Sequence, residues 1–463
     1  MFDRLKKAFQ FAQYDAVTSG KDQRRRSFGN LKLEDNTLTS ARRKILLDST
    51  QDLYRNFSLC RWMVNQHVNN ISNFAFHAIT GNEDVDKRIT ELMEWWSQPH
   101  NCDVTSRMSL SELMRQAERR RVVDGDVFIL KTNKGQLQLI ESDRIRSQED
   151  KQATEDTNIV QGVRMSGDGR ELAYALHSRT GHGSGWYEFQ RWLRYTNCIH
   201  YAWRDRVDQV RGISPLASCY NTMQDLYEAV TANLQKAKVA AMFGLFILRE
   251  PTGSPLGAVN DDSGDSPNKT QDIDMGGGAF MMDMNVGEDV KWLENRSPSN
   301  EFQDFIKVTT DLCLKSLLIP YALWNESDSN YSQTRMAIQQ YNRNAEPWRS
   351  EAQVVLNDIT RWRLDWWLRE GVLRLPEGMD LQTIKWVWQP KTMLFVDPQK
   401  EYEAAQVGID SGLLSRTEFL KGQGKDWNET FALLSAEEEQ LAELRISTQR
   451  QMPILVNEEH IDG

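Results

Sequence analysis

Apolar residues in the first third of the chain recur mostly at helical spacing. Ile45, Leu46, Leu53, Phe57, Cys60, Trp62, Met63, His67 and Val68 predict helix from Ala41 to Ile79. A second helix is expected over Val85–Trp96. A third opens at Ser109, three residues before Glu112, the spacing of a capping box. Asp124-Gly125-Asp126 then switches the pattern: Val127–Leu130, the turn Asn133-Lys134-Gly135 and Leu137–Ile140 read as a β-hairpin. Further strands are predicted at Ile159–Met165, Ala173–His177 and Ile199–Trp203, with a turn at Gly167-Asp168-Gly169.

The second half returns to helix. Ser214 is placed as N-cap and Pro215 as the first position of a helix reaching Ala241. Its stripe is Leu216, Cys219, Met223, Leu226, Val230, Leu234, Ala237 and Ala241. At about 1.5 Å per residue such a rod is about 40 Å long. Strands are expected at Phe243–Arg249, Phe280–Met284 and Val290–Trp292, around a loop, Pro251–Gly278, rich in Gly, Pro, Ser, Asn and Asp. Phe302, Phe305, Ile306, Thr309, Cys313 and Leu317 give a helix ending at Ile319-Pro320. After the polar stretch Trp324–Arg335, a long helical run from Met336 to Trp366 is broken in the pattern only at Pro347. The expected class is α+β, mostly helical.

The 463 residues suggest two to four domains or one elaborated one. No apolar run approaches the roughly 18 residues of a membrane span, and Met1–Leu5 lacks the apolar core of a signal peptide. Cys60, Cys102, Cys198, Cys219 and Cys313 lie far apart, which argues against zinc or a disulfide framework and fits a reducing compartment. Fifteen tryptophans imply a large core or extensive oligomer contact. A net charge of −10 argues against a whole-surface grip on nucleic acid and suits a wall that lets phosphate slide past. Charge is polarised: residues 1–50 hold 11 Lys/Arg against 6 Asp/Glu, including Arg24-Arg25-Arg26, whereas 429–463 hold 8 acids against 2 bases. The basic arm, residues 1–40, reads as a solvated terminus, or as a contact for nucleic acid or an acidic partner.

Candidate catalytic chemistry is thin. Asp124-Gly125-Asp126 could suggest a metal pair, but no third ligand follows and Gly between acids is turn chemistry. His67 and His77 lack paired ligands and read as polar positions on a packed helix. Gly181-His182-Gly183-Ser184-Gly185 has neither the Gly-x-Ser-x-Gly elbow nor a P-loop Lys, so it reads as a hairpin tip. Acid pairs Asp261-Asp262 and Asp272/Asp274 sit in the Gly/Ser-rich loop. No catalytic residue, metal ligand or cofactor is assigned.

Several short motifs resemble the lambda-like portal proteins of tailed bacteriophages. Pro320 followed by Asn330-Tyr331-Ser332 and Arg335 is similar to that family's Pro…Asn-Tyr-Ser-Ser-x-Arg, with Gln333 in place of the second Ser. Tyr14-Asp15-Ala16 ahead of an Arg cluster, Arg55-Asn56, Gly125-Asp126-Val127-Phe128 and Gly212-Ile213-Ser214-Pro215-Leu216 are also similar, in order. So are Asp397-Pro398-Gln399-Lys400-Glu401, Ala404-Ala405, Gly412-Leu413, Ser415-Arg416 and Gly424-Lys425-Asp426. The resemblance covers nearly the whole chain except 251–278. Locally these C-terminal motifs are caps and turns: Asp397 with Pro398 starts a helix and Gly412 ends it.

The resemblance implies a portal-type subunit with wing, stem, clip and crown regions, assembling as a ring, usually of twelve. The implied regions are 1–40 arm, 41–211 wing, 212–241 stem helix, 242–278 clip, 279–320 return strands and helix, 321–335 tunnel loop, 336–395 long helix and remaining wing, and 396–463 crown and acidic tail. Channel-facing stem residues would be Gln224, Glu228, Gln235, Lys236 and Lys238. The DNA-facing loop would present Asn325, Glu326, Ser327, Asp328, Ser329, Asn330, Tyr331, Ser332 and Arg335. Their hydroxyls, amides and acids make weak, sequence-blind contacts without cationic clamps. Implied partners are further copies of the chain, double-stranded DNA, the terminase large subunit, a head-tail adaptor, and the major capsid and scaffold proteins, with no membrane. The implied setting is the virion's portal vertex, assembled in the bacterial cytoplasm, for genome packaging, retention and ejection. The alternatives are another head-tail junction ring or adaptor, and a mixed α/β hydrolase with a dispersed active site.

Overall fold

The computed structural model describes residues 38–147, 158–180, 186–242, 245–249, 288–292, 300–325, 331–391, 398–423 and 427–443. The described chain is mostly helical with four small antiparallel sheets. It divides into two compact units, residues 1–218 with 316–463, and residues 219–315.

In the larger unit, α1 (Ser40–Asn56) and α2 (Ser58–Ile71) are followed by β1 (Phe74–Ala78), so the helix expected as far as Ile79 ends at Ile71. Phe74–Ala78 pairs with Trp386–Pro390, a partner too distant for any local pattern to announce. α3 (Glu83–Trp96) is capped by Asn82, whose Oδ1 accepts from the Asp84 and Val85 amides. A short turn of helix, α4 (Pro99–Cys102), precedes α5 (Leu110–Asp124), which has the capping box expected at Ser109 and Glu112.

β2 (Asp126–Lys131) pairs with β3 (Leu137–Glu141) as the expected hairpin, turning at Gly135 with φ +75°. Every residue of β2 is buried, which explains its unbroken apolar run: Val127 and Ile129 face one core, Phe128 and Leu130 another. The single strand expected over Ile159–Met165 is two, β4 (Asn158–Val160) and β5 (Val163–Met165), reversed at Gln161-Gly162. Gly162 has φ +87°, and a Cβ there would lie 2.6 Å from Arg146 backbone. β6 (Glu171–Thr180) and β7 (Trp186–Arg194) complete a sheet of order β4-β5-β6-β7; β7 was not expected. The hairpin tip, 181–185, lies outside the described residues. β8 (Cys198–Ala202) joins the sheet β3-β2-β8.

The expected helix from Ser214 begins as a 3-10 turn, Pro215–Ser218. The Ser214 Oγ accepts from the Leu216 amide at 3.2 Å and donates to the Val122 carbonyl at 2.6 Å. The α-helix proper, α6 (Tyr220–Met242), belongs to the smaller unit. There β9 (Leu245–Arg249) pairs with β10 (Glu288–Trp292), and α6 packs against α7 (Asn300–Leu314). The expected 251–278 loop and the Phe280–Met284 strand lie outside the described residues.

Back in the larger unit, α8 (Tyr331–Arg369) runs 39 residues without a break at Pro347. Pro347 is exposed while Tyr341, Ala345, Ala352, Val355 and Ile359 are buried on either side of it. That buried face outweighs one missing backbone hydrogen bond. β11 (Trp386–Pro390) follows. Then come α9 (Pro398–Asp410), α10 (Arg416–Gly422) and α11 (Trp427–Glu443). Gly412, at φ +72°, ends α9 as expected, and the Ser415 Oγ accepts from the Glu418 amide to start α10; Asp397 lies outside the described residues.

Much of the tryptophan serves the core. Trp96 and Trp367 are fully buried, 6.4 Å apart edge-on, and the Arg363 guanidinium lies 4.2–5.2 Å from the rings of Trp96, Trp366 and Trp367.

Candidate functional site

The polar stretch after Pro320 is held at both ends. Leu318 adopts φ +52° and Ile319 is fully buried. Tyr321–Leu323 then form a 3-10 turn that contacts α8. The Asn325 amide donates to the Tyr321 carbonyl at 3.1 Å, and the Trp324 ring meets Trp62 of α2 edge-on at 5.0 Å. Glu326, Ser327, Asp328, Ser329 and Asn330 lie outside the described residues. The loop reading extends too far at its C-terminal side: Tyr331 begins α8, so Ser332 and Arg335 sit in its opening turns. Ser332 is exposed and Arg335 half-buried. A Ser/Asn-rich composition suits helix N-termini as well as loops, which is why sequence alone placed that boundary late.

What fixes this segment is α8 itself, fastened to the core by buried charge. Arg349 is 5% exposed and donates through Nε to the Asn70 carbonyl at 2.8 Å, and through Nη2 to the Asn70 and Asn342 side chains. Glu351 accepts from Arg121, Lys131 reaches Asp358 at 2.8 Å, and Arg363 donates to the Gly135 carbonyl at 2.9 Å. Arg121 belongs to a buried knot: His67 Nε2 lies 3.0 Å from Glu118 Oε1, and the Tyr201 hydroxyl donates to Glu118 while accepting from Arg121 at 2.9 Å. Arg121 also lies over the Tyr201 and Trp203 rings. Burial alone would raise the Glu118 carboxyl, but Arg121, His67 and Tyr201 outweigh it and hold it down at about 2. Burial lowers the His67 imidazole, so a polar helix position proves to be a buried partner of Glu118.

A second knot sits under the Gly212-Ile213-Ser214-Pro215-Leu216 motif. Asp126 is fully buried and receives Arg211 Nε at 2.7 Å, Arg43 Nη2 at 2.8 Å, the Gly212 amide at 3.1 Å and the Ser142 hydroxyl. His200 Nε2 lies 3.2 Å from Asp126, and its Nδ1 lies 3.0 Å from Glu171. Burial acts to raise the Asp126 carboxyl, yet the Arg211 and Arg43 guanidiniums hold it well below the ordinary carboxylate range. Burial brings Arg43 down to about 10, with Arg211 acting the same way. Arg211 spends its remaining donors on the carbonyls of Ser142, Ile145 and Gln161.

Two short motifs therefore meet in space. Gly125 takes φ +91°, and a Cβ on it would stand 2.5 Å from the Gly212 oxygen; one on Gly212 would stand 2.0 Å from the Gly125 oxygen. The Gly125-Asp126 turn and the Gly212-Ile213-Ser214-Pro215-Leu216 motif are two sides of one backbone crossing. Arg43 and Arg211, which close it, were not singled out in the sequence; a buried arginine has no local signature. His200, Ser142 and Asp126 gather here, each buried or nearly so and hydrogen-bonded or ion-paired to a neighbour in the cluster. Among the described residues no group of three His, Cys, Asp or Glu could hold a metal ion.

In the smaller unit, the proposed channel residues Gln224, Glu228, Gln235, Lys236 and Lys238 are all exposed on α6. At 100° per residue Gln224, Glu228, Gln235 and Lys238 share one face, and Lys236 falls off it. On an adjoining face the apolar stripe changes character along the helix: Met223 and Leu226 are buried, whereas Val230 is 46% and Leu234 54% exposed.

The chain matches the model of the lambda family of phage portal proteins over residues 21–349. It is 23% identical over 373 residues, 76% of this chain and 70% of the relative, to the probable portal protein of Halomonas phage phiHAP-1. Among solved structures it is similar to a chain in the virion of a native gene transfer agent particle (TM-score 0.47, 15% identity, 82% of this chain and 93% of that one). It is also similar to a chain in the neck of an empty particle of that kind (TM-score 0.47, 16% identity, 81% and 94%). The family match spans both glycines of the backbone crossing, Asp126 with its two arginines, the whole of α6 and the first half of α8; the chain belongs to the lambda family of phage portal proteins.

Proposed function

We propose that this portal protein assembles into a closed ring, usually of twelve copies, at one capsid vertex. Double-stranded DNA passes through it during packaging and ejection. The family match over residues 21–349 carries this reading. α6 lines the channel with Gln224, Glu228, Gln235 and Lys238, a face of mixed sign that gives phosphate no lasting hold. Exposed Val230 and Leu234, on the face beside it, pack against the next subunit. Asn325 and Glu326–Asn330 approach the DNA as the tunnel loop, with Ser332 and Arg335 at the foot of α8; Lys236 lies at the subunit boundary.

The chain makes and breaks no bond; a separate terminase ATPase supplies the work. Terminase and a head-tail adaptor dock on the ring, the capsid and scaffold proteins surround it, and assembly takes place in the host cytoplasm. Purified protein examined by native mass spectrometry and negative-stain microscopy should give a ring of about a dozen subunits with a central hole; a monomer under all conditions refutes the reading. Glu326→Lys with Asp328→Lys should leave rings intact and slow DNA packaging. Unchanged packaging removes the tunnel-loop assignment.

A further inference from the structure

A groove of about 1760 Å³ in the larger unit lies between β1, α3 and the start of α5 on one side and α11 on the other. Its lining includes the apolar side chains of Phe74, Phe76, Met114 and Trp388, and α11 adds Leu433 and Leu434, 58% and 36% exposed. Its Asp, Glu, Lys and Arg side chains are mostly acidic: Glu83, Asp86, Glu91, Glu94 and Glu437 against a single lysine, Lys87. Among the described residues β1 pairs with one strand, β11. Acidic walls around apolar side chains fit a short amphipathic segment that carries positive charge.

The chain itself carries one. Residues 1–11 read Met-Phe-Asp-Arg-Leu-Lys-Lys-Ala-Phe-Gln-Phe, with Phe2, Leu5 and Phe9 at helical spacing and Arg4, Lys6 and Lys7 against one acid. The other terminal candidate, Ile454-Leu455-Val456, is followed by Glu458, Glu459 and Asp462, which the rim would repel. Reach is no obstacle: the residues between Phe11 and Leu38 can extend on the order of 90 Å.

We propose that Phe2–Phe11 of the N-terminal arm docks in this groove, with Phe2, Leu5 and Phe9 on the apolar lining and Arg4, Lys6 and Lys7 against the acids of α3. The docked arm covers the edge of β1 away from β11 and the exposed leucines of α11. This contact is separate from DNA conduction and holds whether or not the channel reading stands.

Hydrogen exchange on the full-length protein tests it. Leu5→Asp with Phe9→Asp should speed exchange of β1 and α3 amides by roughly threefold or more and leave the centre of α8 unchanged. Lys6→Glu with Lys7→Glu should do the same, as should Glu91→Lys with Glu94→Lys, and combining the two pairs should restore protection. Removing residues 444–463 should have no effect on the groove. Unchanged exchange in the arm variants overturns the proposal. So does loss of groove protection on removing 444–463 alone, or arm variants that lower DNA binding while groove exchange stays the same.

Discussion

The two compact units differ most in their buried charge and in how the exposed apolar residues group along their helices. In the larger unit even charged groups are folded inward and matched: Asp126 with Arg43 and Arg211, Glu118 with Arg121, Arg349 with Asn70. In the smaller unit large apolar side chains stand in the open, Tyr227, Val230 and Leu234 on α6 and Phe305, Val308 and Leu312 on α7. The larger unit carries the counter-charges of its own core, while its surface also exposes apolar side chains such as Met336, Val407 and Leu413. On the proposed ring reading, these exposed faces of α6 and α7 are what neighbouring copies would cover.

The sharpest way to break this contrast is at Asp126. Asp126→Ala leaves two buried guanidiniums uncompensated and should cost about 3–5 kcal/mol, read by chemical denaturation. A loss below about 1 kcal/mol would mean that water reaches the knot and the unit is less self-contained than its hydrogen bonds indicate.

Glu118 sharpens the same point through pH. Its carboxyl is held at about 2 in the folded protein against an ordinary value of 4.5. A depressed folded value contributes stability that is fully present above 4.5 and is lost as pH falls through 2. The difference corresponds to about 3 kcal/mol. Glu118→Gln should flatten that part of the stability profile and lower stability at neutral pH, whereas an unaltered acid profile would place the titration elsewhere.

How much of this was legible in the sequence depends on the range of the causes. The capping box at Ser109 and Glu112, the turn at Gly135 and the stop at Gly412 each involve residues a few positions apart, and all were expected. β1 was read as helix because its apolar residues gain their meaning from β11, some 300 residues away. Pro347 was read as a break because local backbone chemistry says so, while the buried stripe holding α8 together depends on tertiary contact. Asp126 was read as turn chemistry, and its role could not be seen, since Arg43 and Arg211 join it only in the fold. The polar face of α6 was legible from periodicity; the change from buried Leu226 to exposed Val230 was not.

Val230→Ser with Leu234→Ser tests the other half of the contrast. Both side chains are about half exposed in the single chain, so subunit stability should change by no more than about 0.5 kcal/mol. Ring formation, read by native mass spectrometry, should nevertheless be lost or strongly weakened. An intact ring would show that these residues face something other than a neighbour.

The smallest effect is expected at the exposed rim of the larger unit's charge system, at Glu351. Its partner Arg121 is buried, but the Glu351 side chain is 53% exposed. Water screens the carboxylate, and Arg121 keeps Glu118, the Tyr201 hydroxyl and two aromatic rings. Glu351→Gln should therefore cost at most about 1 kcal/mol and leave the acid profile set by Glu118 in place. A loss comparable with that of Glu118→Gln would mean that the knot is completed from α8. α8 would then be an integral part of the buried charge system, and the boundary between the matched core and the exposed surface of the larger unit would have to be drawn further out.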